Sequence, residues 1–457
     1  MFPPTIYRKL SRRRMLATSV GMCGISLPQF LKATDASAAS TNTPAKKAKS
    51  CIIVYCWGGI SHHESFDPKP NAPVEIRGEF STISTATPGL HISEHLPLIA
   101  KHTEKVAIIR SIHHDDSAHG RGMYWNLTGH KPPRAGNIPP MRNDWPTLAA
   151  MIAKLRPAQP GIPAAVRVPY PMVDNGTLQA GEYGGWLGAK YDPVVMRTQG
   201  GTPFGGVSRT LGSPVLHLKD VDVGQVDRRH RLLQTLQHRV GDQTDFAEHD
   251  HFGLIAKEML LGTAVRNAYD LDREDKKIRE SYGEHLGGQS LLLARRLTEA
   301  NVPVVQVCLA AGDLNGGQGD MWDTHADNFN RLRKRLLPVF DRGVSALLAD
   351  LADRGTLEET LVAVLTDFGR TPRINGAAGR DHYPNVYSVV LAGGGIRGGQ
   401  VYGSSDRNGA FPATSPCGPA DIHATIFNAM GLSPQAIIHD NLGRPLPVSD
   451  GRVLPLA

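Results

Sequence analysis

Short, continuous apolar runs separated by longer stretches of helical periodicity constrain this chain more than any other feature. The runs cover residues 51–57, 105–110, 304–310, 360–366 and 387–392, and the helix-period stretches cover residues 228–240, 254–268, 289–300 and 328–350. A run that is apolar at every position is typical of a strand buried on both faces. The alternation of such strands with helices predicts an α/β/α sandwich around a mainly parallel sheet.

One long segment does not follow this pattern. Residues 132–213 are rich in proline and glycine and show no clear periodicity. We expect them to form elaborated loops over an edge of the sheet, within a single domain that spans residues 49–457. Loops beyond the carboxyl ends of strands are where open α/β sheets bind ligands.

The positive charge of the chain is concentrated at its N-terminus. Residues 1–38 hold six Lys or Arg side chains and one Asp, so they contribute +5 of the formal net charge of +7. The rest of the chain is therefore almost neutral. Such a balance gives no electrostatic footprint for a polyanion, and we expect no nucleic-acid partner.

The N-terminal residues carry the elements of an export signal. Residues 11–16 (Ser-Arg-Arg-Arg-Met-Leu) match the twin-arginine pattern, a weakly apolar segment spans residues 15–31, and residues 36–38 (Ala-Ser-Ala) resemble a cleavage site. The apolar segment is too short and too polar to span a membrane. We expect a signal peptide at 1–38, a flexible leader at 39–48, export by the twin-arginine translocase, and a periplasmic or extracellular location. A plain basic amphipathic N-terminus is the alternative.

Two polar clusters follow the first two apolar runs. The first comes after the pair Gly58-Gly59 and consists of Ser61, His62, His63 and Glu64. Glycines at a strand end allow close approach to an anion, and the side chains beyond them could bind a ligand. A tight turn with solvated polar residues is the alternative.

The second cluster follows the run that ends at residue 110. It contains three histidines and two acids, namely His113, His114, Asp115, Asp116 and His119. All are metal ligands or acid–base groups, so we expect a functional role for the cluster. Any single member could instead be a structural histidine or acid.

A third cluster contains Asp323 and His325. Side chains two residues apart on an extended segment project to one side, which suits a cation. Thr324 and Asp327 also resemble the capping pair of the next helix, and both interpretations can hold together.

The fourth cluster follows the run at 360–366. Asp367 stands directly after the run, and His382 follows fifteen residues later. Arg370 and Arg380 could clamp a phosphate, sulfate or carboxylate group in bidentate fashion. The alternative is that Asp367 pairs with an arginine and that His382 only packs.

These motifs together resemble a family of twin-arginine-exported proteins called domain of unknown function fifteen-oh-one. The resemblance covers roughly residues 49–442, and the motifs at 58–70, 110–129, 322–325 and 368–382 carry it in order. That family distantly resembles the alkaline phosphatase and sulfatase superfamily, which implies divalent cations above the sheet. The resemblance implies one metal site made of Asp323, His325 and His382, and a second site that includes Asp367.

Three positions depart from the superfamily pattern. The first run ends at Gly58 without the metal-binding Asp of the superfamily, and Phe368 stands where a ligand His usually follows Asp367. His119 stands at the position of the sulfatase nucleophile, nine residues before Thr128. The departures leave the second metal site without two of its usual ligands and require a mechanism different from that of a sulfatase.

We therefore expect an exported, metal-dependent hydrolase of phosphate or sulfate esters of small molecules or polysaccharides. A divalent ion (Zn, Mn, Mg or Ca) would be held as the resemblance implies, with His119 as general base or phosphate-accepting nucleophile. Arg370 and Arg380 would stabilise anionic charge in the transition state. The residues expected to bind substrate are Ser61, His62, His63, His114 and Asp116. The main alternative is a non-catalytic anion- or carbohydrate-binding protein on a degenerate sulfatase-like fold, and a structural partner of other exported proteins is a third possibility.

Overall fold

A computed structural model describes most of the chain beyond the predicted signal peptide. The described residues are 47–136, 138–159, 161–174, 177–195, 228, 232, 235, 263–309 and 321–457. The predicted signal peptide lies outside these residues, as do nearly all of the helix predicted at 228–240 and most of the helix predicted at 254–268.

The central element of the described chain is an eight-stranded sheet. Its strands are β1 (Ser50–Cys56), β2 (Val106–Ile112), β3 (Ala165–Val168), β4 (Val194–Val195), β5 (Val304–Cys308), β6 (Thr360–Thr366), β7 (Tyr387–Ala392) and β8 (Gln400–Tyr402). Their order is β8-β2-β7-β6-β1-β5-β3-β4. Strand β7 runs antiparallel to both neighbours and the other pairs are parallel, so the predicted mainly parallel sheet is confirmed.

The strands are apolar throughout because both faces of the sheet are covered. Every residue of β1, β6 and β7 is buried. A strand of this kind cannot alternate apolar and polar positions, since no face meets water. The runs at 360–366 and 387–392 therefore agree with β6 and β7 at both ends.

The longer helices lie on both sides of the sheet. They are α1 (His119–Thr128), α2 (Leu148–Leu155), α3 (Thr263–Tyr269), α4 (Lys276–Tyr282), α5 (Leu286–Glu299), α6 (Leu337–Asp353) and α7 (Pro419–Ala429). A helical turn (Asn328–Arg331) and a π-helical turn (Leu332–Leu336) lead into α6. No helix among the described residues has the length and apolar character needed to cross a membrane.

Shorter elements connect these helices and strands. The one-turn and 3₁₀ helices are Val74–Arg77, Ile99–Lys105, Gly185–Leu187, Ala189–Tyr191, Leu271–Arg273 and Leu357–Glu359. Two-stranded ribbons pair Thr82–Ser84 with His91–Ser93, Val173–Asp174 with Thr177–Leu178, Gly369–Arg370 with His382–Tyr383, Ser404–Ser405 with Pro412–Thr414, and Ile437–His439 with Pro445–Pro447. The ribbon that contains His382 positions one of the candidate site residues.

The core is divided into two layers by the sheet. Successive side chains of a strand point to opposite faces. Ile52 and Val54 of β1 belong to the apolar cluster of α5 and α6, whereas Ile53 and Tyr55 belong to the cluster of α1, α2 and α7. This arrangement is the predicted α/β/α sandwich.

The described part of residues 132–195 is more regular than we expected. It contributes α2 and two strands of the central sheet, β3 and β4, in addition to loops. Strand β3 has only four residues, is flanked by Pro163 and Pro169, and contains Arg167. A strand that is so short and contains a charged residue gives no apolar run in the sequence. The prediction of loops for this segment therefore did not include β3.

The cysteines of the described residues have a structural role. Cys51, Cys56, Cys308 and Cys417 are free and buried. The absence of Cys-x-x-Cys spacing in the sequence is consistent with this finding. Burial raises the pKa of the Cys417 thiol to about 12, so this thiol stays protonated and unreactive.

We expect the buried His423 of α7 to make the protein sensitive to acid. Its Nε2 lies 2.8 Å from the Asn126 carbonyl oxygen, and burial lowers its pKa to about 4. Between pH 6.5 and 4 the unfolded chain binds the proton more readily, so stability present above pH 6.5 is lost as the pH falls. Between pH 7.5 and pH 5 this loss is about 2 kcal/mol.

Urea unfolding of a His423→Gln variant at both pH values tests this expectation. The variant should lose about 2 kcal/mol less than the wild type between pH 7.5 and pH 5. His91→Gln, at an exposed position, should behave as the wild type. Equal losses in the His423→Gln variant and the wild type would contradict the expectation.

Candidate metal centre

Four polar side chains meet at the carboxyl edge of β6 and β1. His119 is the first residue of α1, Asp323 and His325 lie between β5 and the helical turn before α6, and His382 lies on a short ribbon before β7. Because β7 is antiparallel, residues that precede it lie at the same edge as residues that follow β6. Topology therefore brings together residues from three distant parts of the sequence.

The potential ligand atoms of this group are close to one another. Those of His119, Asp323 and His382 all lie within 4.8 Å of one another. His325 Nε2 lies 3.1 Å from Asp323 Oδ1 and 2.9 Å from His382 Nε2. His382 Nε2 lies 3.2 Å from Asp323 Oδ1, and His119 Nε2 lies 3.3 Å from Asp323 Oδ2.

The other nitrogen of each ring is bonded to an oxygen acceptor. Three distances of 2.7 Å join His325 Nδ1 to Asp381 Oδ1, His382 Nδ1 to the Ser117 carbonyl oxygen, and His119 Nδ1 to Asp367 Oδ2. Because these oxygens accept, the hydrogen-bond network assigns the proton of each neutral ring to Nδ1. Each Nε2 then carries a lone pair.

When the rings are neutral, three lone pairs and a carboxylate thus face one another, and a positive charge between them, either a proton or a bound cation, removes the repulsion. A histidine whose Nδ1 donates to a carboxylate or carbonyl, and whose Nε2 is free, has the usual arrangement of a metal ligand. His119 Nε2 is buried and has no hydrogen-bond partner among the described residues. The donor set therefore fits a divalent ion.

The electrostatics of the site favour positive charge. Burial raises the pKa of Asp323, but contacts with His119, His325 and His382 outweigh it and hold that pKa far below its usual range. Burial lowers the pKa of His119, yet the carboxylates of Asp323 and Asp367 raise it to about 9. Burial lowers the pKa of His382, which favours its neutral, ligating form.

Asp367 holds the end of β1 against the site. Its carboxylate accepts the Gly58 N–H, with distances of 3.2 and 3.1 Å to its two oxygens. Gly58 has a φ of +108°, and a Cβ there would lie 2.6 Å from the Asp323 backbone nitrogen. Glycine is thus needed at the end of β1.

Two apolar rings flank His119. Trp57 and Phe368 are fully buried, and their ring centroids lie 5.4 and 5.0 Å from that of His119. Phe368 also contacts His382, at 4.6 Å. These rings shield one side of the centre from water, which strengthens electrostatic interactions within it.

The two arginines expected to bind an anion are fully buried and engaged. Arg370 donates to Asp323 Oδ1 at 2.7 Å and to the backbone carbonyl oxygens of Gly58, Gly59, Trp322 and Arg380. Arg380 donates to both carboxylate oxygens of Glu64 and to three carbonyl oxygens. The structure therefore places both in the framework of the site, with their donors turned to protein oxygens.

The side chains of Ser61, His62 and His63 bond to other parts of the protein. His62 and His63 lie under residues 405–411, where each Nε2 is 2.9 Å from a carbonyl oxygen, that of Gly409 or Asn408. Ser61 Oγ donates to Glu64 Oε2 at 2.5 Å. All three side chains are buried and bonded within the protein.

His114 and Asp116 organise the loop before α1. His114 Nε2 lies 2.6 Å from the Asp367 carbonyl oxygen, and its Nδ1 accepts the Asp116 N–H. Asp116 accepts from Arg121 Nε at 2.6 Å. Their contacts hold the segment that carries Ser117 and His119.

Two groups that bond to the histidines of the site were not predicted from the sequence, namely Asp381 and the Ser117 carbonyl. Asp381 adjoins His382 in the sequence, so its neighbourhood was a usable signal, whereas the Ser117 contribution is a backbone carbonyl that no side chain reveals. The capping prediction for Thr324 is not matched, because Thr324 Oγ1 donates to the Asn328 side chain and Asp327 makes no side-chain cap bond.

The fold and site define an α/β protein with a mixed, mostly parallel sheet and a histidine- and aspartate-lined candidate metal centre at its carboxyl edge. The chain matches the family model described as protein of unknown function (DUF1501) over residues 48–456. It belongs to that family, and the family resemblance of its motifs is confirmed. No curated protein sequence matches the chain significantly.

Several solved structures are similar to this chain at low sequence identity. The PsFucS1 sulfatase from Pseudoalteromonas sp. is 13% identical, with 88% of this chain and 70% of that chain covered and a TM-score of 0.35. The phosphonate monoester hydrolase SpPMH from Silicibacter pomeroyi is 11% identical, with 89% and 76% covered and a TM-score of 0.38. The alkaline phosphatase from the Antarctic bacterium TAB5 is 12% identical, with 85% and 99% covered and a TM-score of 0.35. Similarity at this level assigns no residue role.

Proposed function

We propose that the protein is a metal-dependent hydrolase of phosphate or sulfate esters of small molecules or polysaccharides. One observation carries the proposal. Nε2 of His325, Nε2 of His382 and the Asp323 carboxylate converge, while Asp381 and the Ser117 carbonyl fix both rings with their lone pairs inward.

Asp323, His325 and His382 would hold the ion. A divalent cation supplies Lewis acidity, which activates water and neutralises the anionic charge of an ester. Two imidazole nitrogens and one carboxylate favour zinc or manganese over magnesium or calcium, which prefer oxygen ligands.

His119 is assigned to proton transfer. Asp367 accepts the Nδ1 proton of His119, so Nε2 faces the centre. The positive charge of a bound ion would lower the pKa of this ring, and its Nε2 lone pair would then accept a proton from the attacking water. Direct attack of this nitrogen on phosphorus is the alternative, and a trapped phosphohistidine distinguishes the two.

The start of α1, and not Arg370 or Arg380, would bind the anionic group of the ester. The helix has ten residues and begins at His119, so its first backbone N–H groups lie beside the centre. Such groups, with the helix dipole, stabilise anionic oxygens. Arg370 instead neutralises and orients Asp323.

Residues 1–38 support export as a further part of the proposal. The twin-arginine pattern and the small-residue site at 36–38 favour passage through the twin-arginine translocase. The substrate would then be met in the periplasm or outside the cell.

A non-catalytic binding protein is the second candidate. Gly58 and Phe368 occupy positions where the superfamily supplies ligands of a second ion, and Asp367 bonds to Gly58 and His119. These replacements favour the loss of a two-ion mechanism. The hydrolase requires a single ion held by Asp323, His325 and His382, whereas the binding protein does not require one.

Elemental analysis of the folded protein tests the proposal. The wild type should contain about one divalent ion per chain, and a variant with Asp323, His325 and His382 all changed to Ala should contain none. An ester screen with the loaded protein follows. If the wild type is metal-free after purification without chelator and binds no added metal, the hydrolase proposal fails and the binding protein is favoured.

A further inference from the structure

A fully buried ion pair, Glu64–Arg380, adjoins the candidate metal centre, because Arg380 lies two residues before His382. The side chains of Glu64 and Arg380 are 1% and 0% exposed, and Arg380 Nη2 lies 2.6 Å from Glu64 Oε1. We propose that this pair is a positioning device that holds the two ligand-bearing segments, residues 323–325 and 380–382, against each other. The inference rests on the proposed metal site, although the positioning itself can be measured without metal.

Arg380 bonds to three separate parts of the chain through its side chain. Its Nε lies 3.0 Å from each Glu64 oxygen, and Nη2 donates to the Ile76 carbonyl oxygen at 2.7 Å. Nη1 donates to the carbonyl oxygens of Thr371, at 3.0 Å, and Pro372. The guanidinium therefore fixes the turn that precedes His382 to the segment after β1.

The backbone of Arg380 joins the same turn to the other ligands. Its N–H donates to the Thr324 carbonyl oxygen at 3.1 Å, between Asp323 and His325. Its carbonyl oxygen accepts from Arg370 Nη1 at 3.1 Å, and Arg370 Nη2 donates to Asp323 Oδ1 at 2.7 Å. A displacement of Arg380 would thus move both ligand-bearing segments, residues 323–325 and 380–382.

The turn that precedes His382 is tightly packed against the segment that carries His325. A Cβ at Gly379 would lie 1.8 Å from the His325 carbonyl oxygen. Asn375 Nδ2 donates to the same oxygen at 2.9 Å and lies 3.2 Å from Asp381 Oδ1. Asp381 and His382 follow Arg380 directly, so a shift of the turn would move both the ligand and the group that orients His325.

The charge of the pair is better explained by positioning than by stability. A buried ion pair is often no more stabilising than apolar residues of similar volume, whereas loss of one partner leaves an uncompensated charge. Ser61 Oγ donates to Glu64 Oε2, which satisfies the carboxylate further. Ser61 and Glu64 therefore support the centre through Arg380.

The experiment compares Glu64→Gln with Asp350→Asn. Asp350 also pairs with a buried arginine, Arg295, at 2.9 Å, but it lies near the far end of α6. Helix geometry places that end roughly 25 Å from the start of the helix, away from the site. Both variants should lower the melting temperature, so Asp350→Asn controls for stability alone.

Of these two variants, only Glu64→Gln should change the metal affinity and the geometry of the candidate metal centre. We expect zinc affinity, measured by chelator competition, to fall about 10–100-fold and the visible spectrum of the cobalt-loaded protein to change. In metal-free protein, ¹⁵N spectra should show that His325 and His382 no longer keep a fixed Nδ1–H form. Asp350→Asn should keep the wild-type affinity and spectra, and Glu64→Asp, which retains the charge, should restore part of the affinity.

The outcomes separate the inference from the proposed function. If Glu64→Gln and Asp350→Asn give equal affinities and equal ring-nitrogen spectra, the positioning inference is wrong. If Glu64→Gln does not fold, Glu64→Asp carries the same comparison, and an unchanged spectrum overturns the inference. If the wild type binds no metal, the proposed function fails, and the spectra of the metal-free protein still decide the positioning.

Discussion

His119→Ala is expected to lower ester hydrolysis by about 10²–10⁴-fold while the protein keeps its metal. The side chain supplies the inward Nε2 lone pair that is 3.3 Å from Asp323 Oδ2, and its Nδ1 is held by Asp367. Alanine removes the proton acceptor but leaves Asp323, His325 and His382 in place. Turnover of an ester found by screening, together with elemental analysis, measures both effects.

His113→Ala is the matched control for this change. His113 precedes α1 in the same loop, and its side chain is exposed. Its loss should leave turnover and metal content unchanged. Retained turnover in His119→Ala would remove the proton-transfer role. Loss of metal would instead make His119 a fourth ligand, which gives a closed site and favours the binding protein.

The sheet could be predicted from the sequence because burial on both faces leaves a visible pattern. Strands β6 and β7 agree with their apolar runs at both ends, and α5 begins three residues before its predicted start. The rule that ligands bind at carboxyl strand ends also selected Asp367 and His382, and the spacing of two on an extended segment selected Asp323 and His325. The structure brings these side chains to one edge.

The surroundings of the arginines could not be predicted in this way. Arg370 and Arg380 follow a strand and carry charge, which are the same features that an anion-binding arginine would show. Their burial depends on carbonyl oxygens of Gly58, Trp322 and Ile76, which come from distant segments. Backbone acceptors leave no mark in the residue pattern, so only the folded chain reveals that these side chains belong to the framework.

Asp367→Asn tests how the base is held, and it is expected to lower turnover by on the order of 10⁴-fold with metal retained. Two N–H groups point at this carboxylate: His119 Nδ1–H at Oδ2, and Gly58 N–H at both oxygens, 3.2 and 3.1 Å away. An amide replaces one of the two oxygens with an NH₂ group. An asparagine whose oxygen takes the place of Oδ1 turns its NH₂ toward His119, which forces the ring proton onto Nε2 and removes the inward lone pair.

The opposite orientation of the amide also carries a cost. If the oxygen faces His119, the NH₂ meets the Gly58 N–H, and two buried donors oppose each other where β1 ends. Asp341→Asn, at a buried carboxylate of α6 that accepts the Leu98 and Ile99 N–H groups of the segment before β2, is the matched control and should leave turnover within about tenfold of the wild type. Turnover of Asp367→Asn in that same range would show that the carboxylate does not set the tautomer of His119. Turnover and metal content measured on all three proteins thus distinguish loss of the base from loss of the ion.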